Sequence, residues 1–311
     1  MRFGGRSLTH AEFIRLAAAH GFAGVYFLAP GKYALGDNPH RLCADVPAEY
    51  PFAASVCCLV HPYSPFTADE RIPAYYLASN KAYFGMKALL AELNALGIRA
   101  EKIEIPLKQA LEAAGIGVEL KTSLRAIPPY GTRTVLMTVA VAGIPPLEYG
   151  EKLPSPCAAC HACEKACPAG AIGKNGLELS RCMRPMMETA DHPDCVRERQ
   201  RTFIGCEICQ YACPMNAKLE RSEPPKEAAE AFDIERLIRG DAAAARALVG
   251  KNMTSNGKLT AEALAFAARD GLLPEAELRS AAAEAEKSLF PAVREAARYA
   301  KTKLSENGYE R

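Results

Sequence analysis

Three features that assign many sequences to a class at once are missing from this chain: a strong net charge, a long apolar run and a leader peptide. The formal net charge of the 311 residues is +2, which argues neither for nor against a nucleic-acid partner, because a local basic patch can hide in a balanced total. The longest apolar run, at 135–146, is too short to cross a bilayer and ends in prolines. The first residues contain no apolar core of a signal peptide. We therefore predict a cytoplasmic protein without a membrane partner.

Two cofactor-binding motifs are missing as well. The stretch GIG at 115–117 lacks the third glycine of GxGxxG and the later acidic residue that would bind a ribose. The cobalamin-binding motif DxHxxG does not occur. The chain therefore carries no flavin, dinucleotide or DxHxxG-type corrinoid fingerprint.

Periodicity divides the chain into three predicted domains. Residues 1–150 alternate amphipathic helices, such as 74–97, with short apolar strands, such as 132–143, which indicates an α/β layer fold. Residues 151–222 are rich in cysteine and proline and lack a periodic apolar pattern, so we expect a bound group rather than a hydrophobic core to hold them. Residues 223–311 are rich in Ala, Glu and Arg and predict helices that resemble HEAT-type repeats.

Cysteine is abundant, and most of the twelve cysteines lie in the middle segment. Cys157, Cys160, Cys163 and Cys167, followed by Pro168, have the C-x2-C-x2-C-x3-C-P spacing of bacterial ferredoxins. A short loop can wrap three corners of a 4Fe–4S cubane, whereas the fourth corner must be met from elsewhere in the chain. Zinc is the alternative, but it favours two separated C-x-x-C pairs, and four cysteines within eleven residues fit that pattern poorly.

A second group, CEICQYACP at 206–214, has the spacing C-x2-C-x3-C-P and lacks its first cysteine. Cys182 stands where a two-cluster ferredoxin begins its second motif, and Cys195 lies deeper in the insertion. We assign Cys182 as the eighth ligand and Cys195 as a thiol that binds no cluster. The predicted ligands are Cys157, Cys160, Cys163 and Cys213 for cluster one, and Cys167, Cys182, Cys206 and Cys209 for cluster two.

Crossed ligation of this kind places two clusters side by side, close enough for electrons to pass between them. The three cysteines outside the segment, Cys43, Cys57 and Cys58, are predicted to be buried structural thiols.

The cysteine segment, with GCEICQYACPMN at 205–216 and the separated Cys182, resembles epoxyqueuosine reductase. Upstream, LEAAGIGVELKTSL at 111–124 and PYGTR at 129–133 match that family's AG-x-G stretch, its Lys and its later glycine before a strand. The resemblance covers roughly residues 50–220. It implies a nitroreductase-like or reductive-dehalogenase-like α/β domain in front of a ferredoxin-like double-cluster domain.

The resemblance also implies an activity, the reductive removal of the epoxide oxygen from epoxyqueuosine in tRNA. It implies a base-off cobalamin between the N-terminal domain and cluster one, and a ferredoxin or flavodoxin as electron donor. The residues that it assigns to the cobalamin region are Gly115, Gly117, Lys121, Tyr130 and Gly131.

The chain departs from the family at the acid that protonates the leaving oxygen. The family has an Asp shortly before AG-x-G; alignment without gaps puts Glu101 there, and a small gap favours Glu104. The longer side chain moves the carboxyl by about an ångström, which positioned catalysis rarely tolerates. An ordinary surface carboxylate is the alternative for both residues. The Gly that usually precedes the matched Lys is Leu120 here.

Basic residues near the insertion and in the helical region are candidate phosphate contacts for tRNA, although acidic neighbours make an ordinary mixed-charge surface the alternative. They are Arg181, Arg184, Arg197, Arg199, Arg201, Arg236, Arg239, Arg246, Lys251 and Lys258.

Two other functions remain open. One is a paralogous corrinoid reductase that acts on another small substrate, which the missing Asp favours. The other is an electron-transfer protein that carries 4Fe–4S clusters and binds no corrinoid.

Overall fold

The structure, a computed structural model, describes residues 8–35, 42–67, 69–188 and 193–308. Two compact units are present, and each is assembled from separated stretches of the chain. The first unit comprises Met1–Tyr63, Ala78–His161 and Pro214–Leu219. The second comprises Ser64–Leu77, Ala162–Cys213 and Glu220–Arg311.

A four-stranded antiparallel sheet in the order β1-β2-β6-β3 is the centre of the first unit. The elements up to residue 141 are α1 (His10–Ala19), β1 (Gly24–Leu28), α2 (Val46–Glu49), β2 (Ser55–Pro62), α3 (Ala74–Ala95), β3 (Ala100–Lys102), α4 (Leu107–Ala113), β4 (Val118–Glu119), β5 (Arg125–Ala126) and β6 (Thr134–Val141). Strand β2 pairs with β6 from Ser55 opposite Val141 to Pro62 opposite Thr134. Because β2 is interior in the sheet and almost entirely buried, its sequence is a continuous apolar run rather than an alternating one.

Local sequence signals set the ends of the helices. Thr9 and Glu12 form a capping box at the start of α1, with Thr9 N–H donating to Glu12 Oε2 over 2.8 Å. Helix α3, which is predicted at 74–97, ends just before Gly97, whose φ of +78° favours glycine.

Burial of the three cysteines outside the middle segment is confirmed. Cys43 and Cys58 pack in the apolar core of the first unit with Val56, Val60 and Ile103. Burial raises the pKa of the Cys57 and Cys58 thiols to about 12 each, so both remain protonated at neutral pH.

The second unit contains the cysteine segment and the C-terminal helices. Its elements from residue 162 are α5 (Ala162–Ala166), β7 (Ile172–Gly173), β8 (Gly176–Leu177), α6 (Met183–Met186), α7 (Asp194–Arg197), α8 (Ile208–Tyr211), α9 (Lys226–Ala231), α10 (Ile234–Ile238), α11 (Ala243–Val249), α12 (Lys258–Asp270), α13 (Glu275–Ala285) and α14 (Pro291–Gly308).

Helix α12 is buried along nearly its whole length, and α13 and α14 pack against it through alanine-rich faces. The helices expected at 259–271, 275–289 and 290–304 are therefore confirmed, whereas their description as HEAT-type repeats stays a prediction. Within the described ranges, no helix combines the length and the apolar character that a bilayer span requires.

Candidate metal centre

Five of the predicted ligand cysteines come together in the second unit. Helix α5 carries Cys163, helix α8 carries Cys209, and the two helices contact each other. Burial, and to a smaller extent the nearby thiols of Cys206, Cys182, Cys163 and Cys167, raise the pKa of the Cys209 thiol to about 12. The other three predicted ligands of cluster two therefore lie within electrostatic range of Cys209.

Cys206 has the same kind of surroundings. The pKa of its thiol is raised to about 11, chiefly by burial and to a smaller extent by the thiols of Cys182 and Cys167, although a backbone hydrogen bond from Ile208 acts to lower it. The Arg184 guanidinium lowers it. Cys195, by contrast, is exposed on α7. No three His, Cys, Asp or Glu side chains among the described residues are grouped as a single metal ion would need.

A tight turn holds the sulfur of Cys167. The N–H of Ala171 donates to Cys167 Sγ over 3.3 Å, and the N–H of Gly170 donates to the Cys167 carbonyl over 3.1 Å. Gly170 has a φ of +56°, so the turn needs a residue that tolerates the left-handed region. Backbone N–H donors of this kind stabilise thiolate ligands and tune the potentials of Fe–S clusters.

A small apolar core lies beside Cys206, and no periodic pattern in the sequence indicates it. Met183, Met187 and Val196 are buried together, with Met186 and Ala169 packed against them. The expectation that no hydrophobic core supports residues 151–222 is therefore wrong in part. The three buried residues of this core lie on α6, in the turn after it and on α7. They are too far apart in the sequence for a periodic apolar pattern to appear.

In the first unit, the loop with Cys157 and Cys160 lies along the turn between β4 and β5. The N–H of Lys121 donates to Cys157 Sγ over 3.5 Å, and Lys121 Nζ lies 3.5 Å from the Cys160 carbonyl oxygen. Ser155 Oγ donates to the Glu119 carbonyl over 3.1 Å. Lys121, which the resemblance assigns to the cobalamin region, thus contacts the first cysteine loop directly.

The three glycines of the resemblance all have positive φ, at +69°, +66° and +58° for Gly115, Gly117 and Gly131. At Gly131 an added Cβ would collide with the Asn216 side-chain oxygen and lie 2.7 Å from the Met215 carbonyl oxygen. Asn216 in turn accepts from the Thr132 N–H over 2.8 Å and donates to Thr132 Oγ1 over 2.9 Å. Packing within the unit alone therefore demands glycine at position 131.

The remaining candidates lie on exposed or half-buried surface. Glu101, on edge strand β3, pairs with Arg99 over 2.8 Å and is 45% exposed. Glu104 pairs with Lys102 over 2.5 Å and is 54% exposed. Tyr130 is half-buried, and its hydroxyl donates to the Ala23 carbonyl over 3.2 Å. The structure does not gather the two carboxylates into a shielded pocket.

Two residues near the matched Lys were not found from the sequence. Arg125 is buried and donates to the Ile116 carbonyl over 2.9 Å, which fixes the AG-x-G loop. Thr122 is 6% exposed, and its hydroxyl has no hydrogen-bond partner in the part of the chain that the structure describes. A buried hydroxyl without a partner costs free energy, so Thr122 fits a polar group bound at this turn. Its only sequence signal is its place after Lys121.

Two of the candidate phosphate contacts are buried, which corrects that part of the sequence prediction. Lys258 is 2% exposed and donates through Nζ to the Met187 carbonyl. Arg197 is 5% exposed and binds Asp194 over 2.6 Å. Neither side chain can reach a phosphate from this position, because each is already committed to a partner inside the unit.

Comparison with known proteins yields both a domain and a family likeness. Residues 156–216 match the model of the 4Fe-4S double cluster binding domain. The epoxyqueuosine reductase of Listeria monocytogenes is 32% identical over 111 residues, which are 34% of this chain and 28% of that enzyme. That of Lactococcus garvieae is 32% identical over 110 residues, 33% of this chain and 30% of that enzyme. The matched stretches span less than a third of these curated relatives.

A crystal structure of epoxyqueuosine reductase with a tRNA-Tyr epoxyqueuosine-modified stem loop superposes with a TM-score of 0.70 at 20% identity. The match covers 96% of this chain and 91% of that one. At this identity the likeness shows the fold. The resemblance inferred from the sequence is confirmed, and residues 156–216 form a 4Fe–4S double-cluster domain.

Proposed function

We propose that this chain, similar in sequence segment and in fold to epoxyqueuosine reductases, is a corrinoid- and iron–sulfur-dependent reductase that removes the epoxide oxygen of epoxyqueuosine in tRNA. Two electrons and two protons convert the epoxide into an alkene and release its oxygen as water. The electrons come from a low-potential ferredoxin or flavodoxin in the cytoplasm. The observation that carries the proposal is that the thiols of Cys167, Cys182 and Cys206 lie within electrostatic range of Cys209 inside a double-cluster domain.

The proposed ligands are those of the sequence prediction: Cys157, Cys160, Cys163 and Cys213 for cluster one, and Cys167, Cys182, Cys206 and Cys209 for cluster two. Two backbone N–H donors support the set, one from Ala171 to the Cys167 sulfur and one from Lys121 to the Cys157 sulfur. Such donors favour the thiolate that a cluster requires. The exposure of Cys195 supports its exclusion.

We also propose that cobalamin binds near the β4–β5 turn, at Gly115, Gly117, Lys121, Tyr130 and Gly131. Cobalamin, when bound, supplies a reductant strong enough to cleave a carbon–oxygen bond. The buried hydroxyl of Thr122 is the group that supports a ligand here, because it lacks a partner among the described residues. Lys121 holds the Cys157–Cys160 loop at the same turn.

Glu101 or Glu104 is the proposed proton donor, through its side-chain carboxyl. Both carboxyls are about half exposed, so bound substrate must cover the acid before it can act as a shielded proton donor. A second candidate function is a paralogous corrinoid reductase with a different small substrate, which the absence of the family's Asp favours.

Complementation tests the proposal. A bacterial strain that lacks epoxyqueuosine reductase receives the wild-type chain, Cys209→Ala or, as matched control, Cys195→Ala, and its tRNA nucleosides are measured by mass spectrometry. We expect queuosine with the wild type and Cys195→Ala, and epoxyqueuosine with Cys209→Ala. Persistent epoxyqueuosine with the wild type would contradict the proposed substrate.

Anaerobic absorption spectra then separate the remaining functions. Corrinoid bands above the broad 4Fe–4S absorbance, after cobalamin is offered, support a reductase of another substrate. Iron–sulfur absorbance alone supports the electron-transfer protein. Glu101→Gln and Glu104→Gln are compared in the same strain, and full activity in both would reject the placement of the acid.

A further inference from the structure

Arg184 lies against two neighbouring aromatic rings shortly after a proposed ligand of cluster two. It lies on α6, two residues after Cys182, and its guanidinium is 4.5 Å from the Tyr75 ring centre and 5.4 Å from that of Tyr76. Its side chain is 29% exposed. A guanidinium over aromatic faces is attracted by their quadrupoles, which fixes its position.

Tyr76 contacts the Arg184 guanidinium and also the loop that carries another proposed ligand of cluster two. Its hydroxyl donates to Glu188 Oε1 over 3.0 Å, which fixes the ring. The ring lies against Gly205, where an added Cβ would be 2.7 Å from Tyr76 Cε2. Gly205 precedes Cys206, so the Tyr76 ring lies between the Arg184 guanidinium and the start of the second cysteine group.

Arg184 brings a permanent positive charge to this place, because a guanidinium stays protonated at any physiological pH. It stands two residues after Cys182 and contacts the Tyr76 ring, which packs on Gly205, the residue before Cys206. Glu188 lies 3.9 Å from Arg184 and offsets part of this charge, but the carboxylate is 46% exposed and screened by water. A cation close to an Fe–S cluster stabilises its reduced form, since reduction adds negative charge.

We propose that Arg184 raises the reduction potential of the cluster bound by Cys182 and Cys206. One electron passes from a reduced iron–sulfur or flavin carrier protein to this cluster, and the fixed guanidinium makes that transfer more favourable. Arg184 is a positioning residue, since it acts through the field at the cluster. The inference rests on the proposed ligand set.

Redox titration followed by electron paramagnetic resonance tests this role on the anaerobically purified full chain. The variants are Arg184→Gln, Arg184→Lys and Arg181→Gln. Arg181 is the matched control because it adjoins Cys182 on the other side, yet is 55% exposed and paired with Glu178. We expect Arg184→Gln to lower one of the two midpoint potentials by about 59 mV, which corresponds to a tenfold change in the equilibrium constant of a one-electron reduction. Arg184→Lys should keep most of the wild-type midpoint potential, because it keeps the charge, and Arg181→Gln should change neither midpoint.

Cys182→Ser identifies the cluster, because a changed ligand alters the midpoint of its own cluster. The step altered by Arg184→Gln must be the step altered by Cys182→Ser. Unchanged midpoints in Arg184→Gln with full iron content, or equal changes in both steps, would overturn the role of Arg184 and leave the ligand set intact. Unchanged midpoints in Cys182→Ser would overturn the ligand set and the inference with it.

If Arg184→Gln does not retain its iron, Arg184→Met, which is also neutral, is titrated in its place. A lowered midpoint in the step that Cys182→Ser alters would support the inference, and unchanged midpoints with full iron content would overturn it.

Discussion

Two pairs of cysteines, Cys57 with Cys58 and Cys206 with Cys209, look alike in their raised thiol pKa, although the first pair is fully buried and the second half-buried, and they differ in their neighbours. Burial raises the pKa of all four thiols, to about 12 in β2 and to about 11 and 12 in the cysteine segment. In β2, Cys58 packs in the apolar core and Cys57 Sγ lies 3.7 Å from the Ser55 hydroxyl oxygen. In the cysteine segment, Cys209 faces four other thiols, and Cys206 faces two thiols and the backbone N–H of Ile208. A raised thiol pKa alone therefore does not separate a structural cysteine from a ligand; the surrounding groups do.

The largest expected effect is on bound iron. Cys209→Ala should lose about half of the iron, because a missing ligand removes one of two clusters. Cys57→Ala should keep all of it and cost about 1 kcal/mol in the free energy of unfolding, the effect of a small cavity. Iron and sulfide are measured after anaerobic purification. Iron loss in Cys57→Ala equal to that in Cys209→Ala would remove the distinction between the two pairs.

The same measurement compares the two candidates for the eighth ligand. Cys182→Ala should lose about half of the iron, since its thiol lies within range of Cys206 and Cys209. Cys195→Ala should retain the iron, because its side chain is exposed. The reverse pattern would transfer the assignment to Cys195.

A smaller effect is expected at two glycines with positive φ. Gly131→Ala should lower the free energy of unfolding by about 2–4 kcal/mol, because φ strain and the collision with Asn216 add together. Gly143→Ala is the control: its φ is +75° and an added Cβ meets nothing within 4 Å, so only about 1–2 kcal/mol is lost. Urea unfolding of the iron-loaded chain measures both. Equal losses would mean that the contact with Asn216 contributes nothing.

The smallest effect is expected at the carboxylate of Glu198. Its neighbours lower its pKa, whereas the neighbours of Cys209 raise the pKa of that thiol. Lys303, and then Tyr299, lower the pKa of Glu198. A depressed pKa in the folded state contributes stability above the unfolded pKa, and this is lost as the pH falls through the folded value. Glu198 is 39% exposed, so Glu198→Gln should cost less than about 1 kcal/mol at pH 7.

Urea unfolding at neutral and at acidic pH checks this. The difference between Glu198→Gln and the wild type should shrink as the carboxyl is protonated. A difference that grows in acid would contradict the sign of the shift.

Much of the fold could be predicted where burial imposes a pattern. Strands β2 and β6 are apolar runs, and α3 is a long amphipathic stretch that ends before a glycine. Strand β3 was missed because it is three residues long and carries charged side chains on a sheet edge. The hairpin of β4 and β5 was missed because two-residue strands have no measurable period.

The candidate site could be predicted from the sequence only at the cysteines, because their spacing reflects the cluster that they bind. The spacing of the cysteines follows the geometry of the cluster that they bind, so individual ligand residues could be predicted from the sequence. The contact of Lys121 with Cys157 uses a backbone N–H, which every residue but proline has, and therefore left no trace in the sequence. The burial of Lys258 and Arg197 was equally hidden, because formal charge does not reveal which cations donate to backbone or carboxylate partners inside the fold.

The stretch Pro214–Leu219 belongs to the first unit although it follows the last cysteine of the segment. Within the first unit, Asn216 accepts a hydrogen bond from the Thr132 N–H and donates one to Thr132 Oγ1. During synthesis on the ribosome, the first unit therefore cannot reach its final form until this stretch has emerged. A fragment that stops at residue 161 would be an incomplete fold, so dissection of the protein has to preserve the chain through Leu219.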